Sequence, residues 1–404
     1  MNKISDDFYS SASLPLALLV ACALSVVSLL YIPLPILPSL TQTYRLSPST
    51  SAYALQAFSL AYALGFLVFG PLSDRVGRRP VLVVGLVVLA LVSLGLMLVS
   101  SPGLFLLGRG LQGFAAASFP PVALAYITEC GTARQRIWGV AWMSTAFLSA
   151  GLLGQIYGVM VAGRWGFAWA LLPLMVIYLA TALRIALLKQ TRVSRGSAST
   201  SWWAAYEGTG RVLKDPKLRR VYVCALLLLM VFVAFYISLD VRLGAELEQQ
   251  GVSLLAARAI ALPAFLLPLL VALLTPRWGA LRLATAGLLV TAVGLALCAV
   301  LVNRSAYSLL AASVLFVAGV CISVPSLISR VASVAEPSVR GLAVSLYTFV
   351  LFIGASLGPF LASRSATWSD SVFFLVLAAG IGLAALYSAW PVSSARCSTV
   401  LGAR

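Results

Sequence analysis

Few side chains in this sequence are able to carry out acid–base or metal chemistry. Its 404 residues include 28 Lys and Arg, 11 Asp and Glu, six Cys and no His. Without His, the chain lacks the commonest general base and the commonest metal ligand. No Cys-x-x-Cys pair occurs, and no two acids share one apolar segment. We therefore expect no enzyme activity, no cofactor, no metal site and no disulfide.

Two charged residues stand out because apolar sequence surrounds or adjoins them. Arg109 falls within the apolar run 104–127, and Asp240 lies near the end of the run 220–243. An ionised side chain in such a run is costly and normally faces a cavity or a partner. One hypothesis is that the two approach each other as an outer gate or a proton-coupled pair. A cavity-facing Arg109 would orient a substrate, a carbonyl of the first helix or a proton carrier. The alternatives are that Arg109 extends to the membrane surface and that Asp240 is a loop-edge charge beside Arg242.

Apolar runs dominate the chain and indicate its class. Hydrophobic residues make up 61% of the sequence and charged residues 10%, whereas soluble domains carry about 25% charged residues. A run of about 20 residues crosses a bilayer as a helix, because backbone amides in lipid must pair within their own segment. We predict an all-α integral membrane protein with twelve transmembrane helices, at residues 14–38, 50–72, 81–99, 104–127, 138–162, 165–188, 220–243, 252–275, 283–302, 306–334, 341–363 and 371–391.

The basic residues indicate the orientation of these helices. Most of the 28 Lys and Arg fall in the two tails and in the loops on the same side as the tails. Loops rich in Lys and Arg stay in the cytoplasm. We expect a multi-pass protein of the plasma membrane, the inner membrane of a bacterium, with both termini cytoplasmic. The scatter of basic residues between apolar runs argues against nucleic-acid binding.

The chain divides into two similar halves. A Ser-, Arg- and Lys-rich stretch at 189–219 separates six runs in residues 1–188 from six in residues 220–404, and we expect it to be a cytoplasmic linker. After the second run of each half the sequence reads LSDRVG (72–77) and LTPRWG (274–279). We predict two six-helix bundles related by pseudo-two-fold symmetry, a plan common among transporters.

The loop GPLSDRVGRRP (70–80) resembles the signature of the major facilitator superfamily, and it falls between the second and third helices, as in that family. RGLQG (109–113) resembles a second motif, found in the drug/proton antiporter branch. That branch usually carries a Gly-Pro pair in the fifth helix. Here the fifth helix has Gly154-Gln155, and a Gly358-Pro359 pair lies in the eleventh instead.

The resemblance implies a cytoplasmic gate at the loop. In this family the acid at the end of the second helix meets the start of the eleventh, here near Gly341, and such a contact exists only while the halves touch on the cytoplasmic side. The alternative is a basic loop that sets orientation without a switching role. The candidate gate residues are Gly70, Asp74, Arg75, Gly77, Arg78, Arg79 and Glu129.

Two further sets of residues are assigned to the path and to helix packing. The candidate transport path is aromatic or polar and comprises Arg109, Gln112, Asp240, Tyr31, Tyr236, Trp142 and Gln155. Small residues let helices approach closely, and we assign this role to Gly151, Gly154, Gly158, Gly354, Gly358 and Pro359.

We therefore expect a secondary active transporter that works by alternating access. The expected activity is proton-coupled export of small amphipathic compounds, neutral or anionic because Arg109 is a cation. Its partners would be this small-molecule substrate, protons and membrane lipids, without nucleic acid, and the protein would be a monomer. The alternatives are an uptake permease or facilitator for a sugar or organic acid, a lipid flippase, and a membrane sensor or scaffold that transports nothing.

Overall fold

A computed structural model describes residues 15–47, 50, 53–188, 208–336 and 339–390. Within these ranges the chain forms helices and turns, without strands, so the predicted all-helical fold is confirmed. In chain order the first half consists of α1 (Leu16–Tyr31), α2 (Leu37–Thr43), α3 (Tyr53–Val76), α4 (Arg78–Leu98), α5 (Pro102–Ala116), α6 (Pro120–Cys130), α7 (Ala133–Tyr157) and α8 (Phe167–Leu187). The second half consists of α9 (Thr209–Lys214), α10 (Pro216–Gln249), α11 (Leu254–Ala259), α12 (Leu267–Trp278), α13 (Ala280–Leu301), α14 (Ala306–Val334), α15 (Arg340–Arg364) and α16 (Asp370–Ala389).

Ten helical segments of the described residues are long and apolar enough to cross a membrane. The other two predicted spans correspond to α1, which has 16 residues, and to the interrupted pair α5–α6. Prolines explain both differences from the predicted runs. Pro33 and Pro35 follow α1, and Pro120 and Pro121 open α6. Proline lacks an amide hydrogen and disfavours helical conformation in the residue before it.

Proline also interrupts the eighth span, where α11 and α12 are separated by a 3₁₀ segment, Leu262–Leu266. The fifth span stays continuous but becomes a π-helix over Gly158–Ala162 before its last turn, Gly163–Trp165. Such segments loosen regular helical hydrogen bonding within a span. The broken or irregular spans are thus the fourth, fifth and eighth.

The linker prediction is only partly covered by the structure, because residues 189–207 lie outside the described ranges. Residues 208–219 include the short helix α9 and the start of α10. Helix α10 begins at Pro216, and the Asp215 carboxylate accepts a hydrogen bond from the Lys217 amide at 2.7 Å. It ends at Gln249, beyond the apolar run 220–243, so its last residues form a polar extension.

The same turn occurs at corresponding places in the two halves. Gly77 has φ 101° and Gly279 has φ 78°, values that favour glycine because it has no Cβ. The amide of Gly77 donates to Ser73 O, and the amide of Gly279 donates to Thr275 O, each at 3.0 Å. The repeated LSDRVG and LTPRWG sequences therefore fold alike. We call the end of the molecule that carries these two turns the motif end.

Glycines lie where helices of the same half approach most closely. A Cβ built on Gly154 of α7 would lie 3.1 Å from Ser28 Cα of α1, and one on Gly158 would collide with Ile32 O. In the second half, a Cβ on Gly354 of α15 would lie 3.1 Å from Leu226 Cα of α10. Gly358 faces Val233 in the same interface, whereas Gly151 makes an ordinary contact with the ring of Tyr31. The side chain of Pro359 lies outside the described residues.

Each half has its own apolar core, and a few side chains join the two. Phe349 and Phe352 of α15 pack against the core of the first half, and Leu148 and Leu152 of α7 belong to the core of the second. The ring of Phe352 meets that of Tyr62 edge-on at 4.9 Å. The halves therefore touch through the second, fifth and eleventh spans.

We predict that Gly354→Ala lowers the apparent melting temperature of the purified protein, because the new methyl group collides with the backbone of α10. Overpacking of this kind costs about 1–3 kcal/mol. Gly382→Ala is the matched control, since nothing lies within 4 Å of a Cβ at that helical glycine. Equal melting temperatures for the two variants would contradict the packing role of Gly354.

Candidate gate and transport path

Arg78 ties together three elements at the motif end. Its Nη2 and Nε atoms donate to Glu129 Oε1 of α6 at 2.9 and 3.1 Å. Nη2 also pairs with Asp74 of α3, and Nη1 donates to the Ser73 hydroxyl at 2.5 Å. One guanidinium at the start of α4 therefore joins two carboxylates from the ends of α3 and α6. Because these elements all belong to the first half, this network fixes the loop within that half.

Asp74 also contacts the second half of the molecule. A Cβ on Gly341 would collide with both oxygens of the Asp74 carboxylate. Gly341 is the second residue of α15, so the carboxylate lies at the positive end of the helix dipole. One turn further along, Gly70 of α3 leaves no room for a Cβ against Ser345. We call the contact of Asp74 and Gly70 with α15 the inter-half contact.

The corresponding loop of the second half lacks this acid. Pro276 occupies the position that corresponds to Asp74, and Ala280 the position that corresponds to Arg78. The turn and the arginine before it are therefore repeated, as Arg75 and Arg277, while the Asp74–Arg78 pair is not. Of the two loops, the first is the one that presents a carboxylate to a helix of the other half.

The remaining basic residues of the loop have different positions. Arg79 donates to the carbonyl of Ala186 in the last turn of α8, where a cation is favoured by the helix dipole. Arg75 is half-buried at the end of α3. Arg79 thus attaches the loop to the sixth span of its own half.

Arg109 is completely buried inside the first half. Its Nη2 atom donates to Leu29 O of α1 at 3.1 Å, and its Nε atom donates to Ala54 O of α3 at 3.3 Å. The carbonyl of Leu29 has no ordinary helical donor, because residue 33 is proline and has no amide hydrogen. Arg109 therefore satisfies a backbone group that a helix bend leaves unpaired.

Gln112 and aromatic rings complete the surroundings of Arg109. Arg109 Nη1 donates to Gln112 Oε1 at 2.5 Å, and Gln112 Nε2 donates to the Ser93 hydroxyl at 2.9 Å. The guanidinium carbon lies 4.5 Å from the centre of the Phe58 ring and 5.6 Å from that of Phe167. Arg109 and Gln112 are both 0% exposed. The guanidinium thus points into the bundle rather than to the membrane surface.

A cavity of about 520 Å³ lies between α1 and α7 in the part nearest the motif end. Its volume is typical of small-molecule sites, which measure about 300–1,000 Å³. Trp142 is 39% exposed there. Neither Arg109 nor Gln112 is among the lining residues, which are Leu16, Ala17, Val20, Ala21, Leu24, Trp142, Thr145, Ala146 and Ser149.

The other predicted path residues are distributed over both halves. Tyr31 lies against Gly151. Gln155 is buried; its Nε2 atom donates to Gly151 O at 2.6 Å, and its Oε1 atom has no hydrogen-bond partner among the described residues. Tyr236 of α10 contacts Phe232, with ring centres 5.1 Å apart, and the Arg258 guanidinium lies 6.0 Å from its ring.

Asp240 lies on α10, one turn after Tyr236, and its side chain is outside the described residues. The structure therefore does not show whether Arg109 and Asp240 meet. What it does show is that the Arg109 guanidinium is enclosed by groups of the first half. A carbonyl of the first helix was one of the partners considered for Arg109, and the structure identifies it as Leu29 O; the second acceptor, Ala54 O, was missed.

The sequence profile of the Major Facilitator Superfamily matches residues 17–359. The chain belongs to this superfamily. It is 30% identical over 145 residues to the inner membrane transport protein YnfM of Escherichia coli, covering 36% of this chain and 34% of YnfM. It is 29% identical over 225 residues to a chloramphenicol resistance protein of Pseudomonas aeruginosa, covering 54% and 51% of the two chains. The alignments therefore span a third to a half of the length of these relatives.

Similarity to solved structures covers nearly the whole chain. The crystal structure of the human organic anion transporter MFSD10 matches with a TM-score of 0.72 at 18% identity, covering 93% of this chain and 100% of that one. At this identity the match shows the fold alone. The superfamily consists of membrane transporters rather than enzymes, and this chain is a multi-pass membrane protein of that superfamily.

We predict that Arg109→Met lowers stability by about 2–4 kcal/mol, because it leaves the Leu29 carbonyl and Gln112 without their donor. Thermal unfolding in detergent measures the change. Adding Pro33→Ala to this variant should recover part of the loss, since residue 33 then has an amide hydrogen for Leu29 O. Arg164→Met, at an exposed arginine, is the control. An Arg109→Met protein as stable as the wild type would contradict the assigned role.

Proposed function

We propose that the protein works by alternating access and exports small amphipathic organic compounds in exchange for protons. The observation that carries the proposal is the inter-half contact, in which Asp74 of α3 lies at the first turn of α15. This contact must break whenever the motif end opens between the halves. It therefore favours the state that is closed at the motif end, and transport requires its repeated loss and return.

The electrostatic strength of the contact suits a reversible gate. A carboxylate at a helix N-terminus contributes about 0.3–1 kcal/mol when it is near the surface, and the Asp74 side chain is 37% exposed. A contribution of this size changes the ratio of two states several-fold without locking either. Arg78 and Glu129 keep the carboxylate in place, so only the partner helix has to move.

The direction of transport and the type of solute are supported by relatives. The P. aeruginosa relative is named for resistance to chloramphenicol, a property that export would provide. The excess of Lys and Arg on the side of the motif end supports a cytoplasmic position for that end. We propose the bacterial inner membrane as its location, with both termini cytoplasmic and a monomer as the working unit.

Proton coupling needs a group that titrates within the path. Apart from Asp240, the acids of the described residues lie at helix ends or in loops, and the chain contains no His. Asp240 is the acid that the sequence places nearest the membrane interior. We therefore propose Asp240 as the proton-carrying residue.

The gating role of Asp74 is tested by removing its charge. Asp74→Asn keeps the size of the side chain and removes the charge that favours the closed motif end. Export of chloramphenicol from proteoliposomes should slow about two- to fivefold, because losing about 0.3–1 kcal/mol between the two states changes their ratio by that factor. Glu248→Gln, at an exposed acid of α10, should retain the wild-type rate. Unchanged flux in Asp74→Asn would exclude a gating role for this acid.

The role of Asp240 in proton coupling is tested by applying a pH gradient to the wild type and to Asp240→Asn. An imposed pH gradient should accelerate chloramphenicol flux in liposomes containing the wild type, and this acceleration should be absent in Asp240→Asn. Flux without a gradient provides the control for folding and binding in the same variant. If the gradient accelerates both proteins equally, Asp240 does not carry the proton; if it accelerates neither, transport is not proton-coupled.

A further inference from the structure

We propose that the cavity between α1 and α7 binds uncharged aromatic solutes and that Trp142 is the residue that selects them. This inference rests on the proposed function and narrows its substrate class, since the sequence alone predicted a neutral or anionic solute. It is based on three features of the first half: the lining of the cavity, the position of Arg109 and the exposure of Trp142.

The lining offers no charge to a ligand. None of the nine described residues that line the cavity is ionisable. A charged ligand that moves from water into such surroundings loses its hydration without gaining a counter-charge. An uncharged ligand loses less and gains the burial of its apolar surface. The lining therefore favours neutral solutes over both anions and cations.

Arg109 does not supply the cation that an anion would need. Among the described Lys and Arg residues, Arg109 is the one that is fully buried. Its guanidinium already donates to Leu29 O, Ala54 O and Gln112 Oε1. Phe58 covers one side of it. An anion in the cavity would meet neither this group nor any other described cation of the lining.

The shape of the lining suits a flat ring. Three alanines, Ala17, Ala21 and Ala146, leave space on both helices. Trp142 presents an indole that no neighbouring ring covers among the described residues, and a flat aromatic ligand gains both apolar burial and ring stacking there.

The test compares three probes with the same ring and different charges at pH 7. These are 1-naphthylmethanol, which is neutral, 1-naphthoate, an anion, and 1-naphthylmethylammonium, a cation. Equilibrium dialysis against the full-length protein in nanodiscs gives the dissociation constant of each probe. The neutral probe should bind at least about tenfold more tightly than either ion, and Trp142→Ala should weaken its binding about tenfold. Trp142→Phe should weaken it less.

Two control variants separate the cavity from general effects on folding. Trp169→Ala removes a tryptophan of α8 that is 62% exposed and outside the lining, and it should leave all three affinities unchanged. Ala17→Lys places a cation at an exposed position of the lining, and it should raise the affinity for 1-naphthoate above that for the neutral probe.

The outcomes distinguish this inference from the proposed function. Equal binding of the three probes, or an affinity for 1-naphthylmethanol that is unaffected in Trp142→Ala, overturns the inference even when the protein exports chloramphenicol. Charge-selective, Trp142-dependent binding in a protein that moves no solute across liposome membranes supports the inference and overturns the proposed function.

Discussion

A backbone carbonyl without a hydrogen-bond donor is costly where water is absent, and Pro33 creates such a carbonyl at Leu29 in the middle of the first half. Arg109 supplies the missing donor and at the same time reaches Ala54 O of α3. One side chain on α5 therefore holds three spans together. With Gln112 and Phe58 around it, its charge stays inside the bundle and becomes part of the scaffold rather than of the path.

The hydrogen bonds of Arg109 to α1 and α3 explain how the first half can act as one rigid body. Close glycine contacts between α1 and α7 and between α10 and α15 do the same for each half separately. Between the halves, by contrast, the structure shows mainly aromatic and aliphatic packing together with the contact of Asp74 at α15. Alternating access requires strong contacts within each half and a reversible contact between the halves, such as that of Asp74 with α15.

The sequence predicted the features that depend on local rules. Apolar length marked the spans, and the repeated LSDRVG and LTPRWG sequences marked two loops that fold alike. Charge alone did not decide which arginine of the loop pairs with Glu129, and the structure shows that it is Arg78. For Arg109 the sequence suggested a carbonyl of the first helix as one partner, but it did not identify Leu29 O or the second acceptor, Ala54 O, because such contacts depend on how the spans pack. The break between α5 and α6 was also missed, since an apolar run gives no sign of interrupted hydrogen bonds apart from its prolines.

In the proposed mechanism, the contact between α3 and α15 opens and closes during transport. Pulsed electron paramagnetic resonance measures it directly, with spin labels at Val76 and Arg340, both exposed at the motif end, in a protein whose six native cysteines are replaced. In proteoliposomes with substrate and a pH gradient, we predict two distance populations, a short one that matches this structure and a longer one. A single short distance in a protein that is actively transporting would show that this contact does not open during transport.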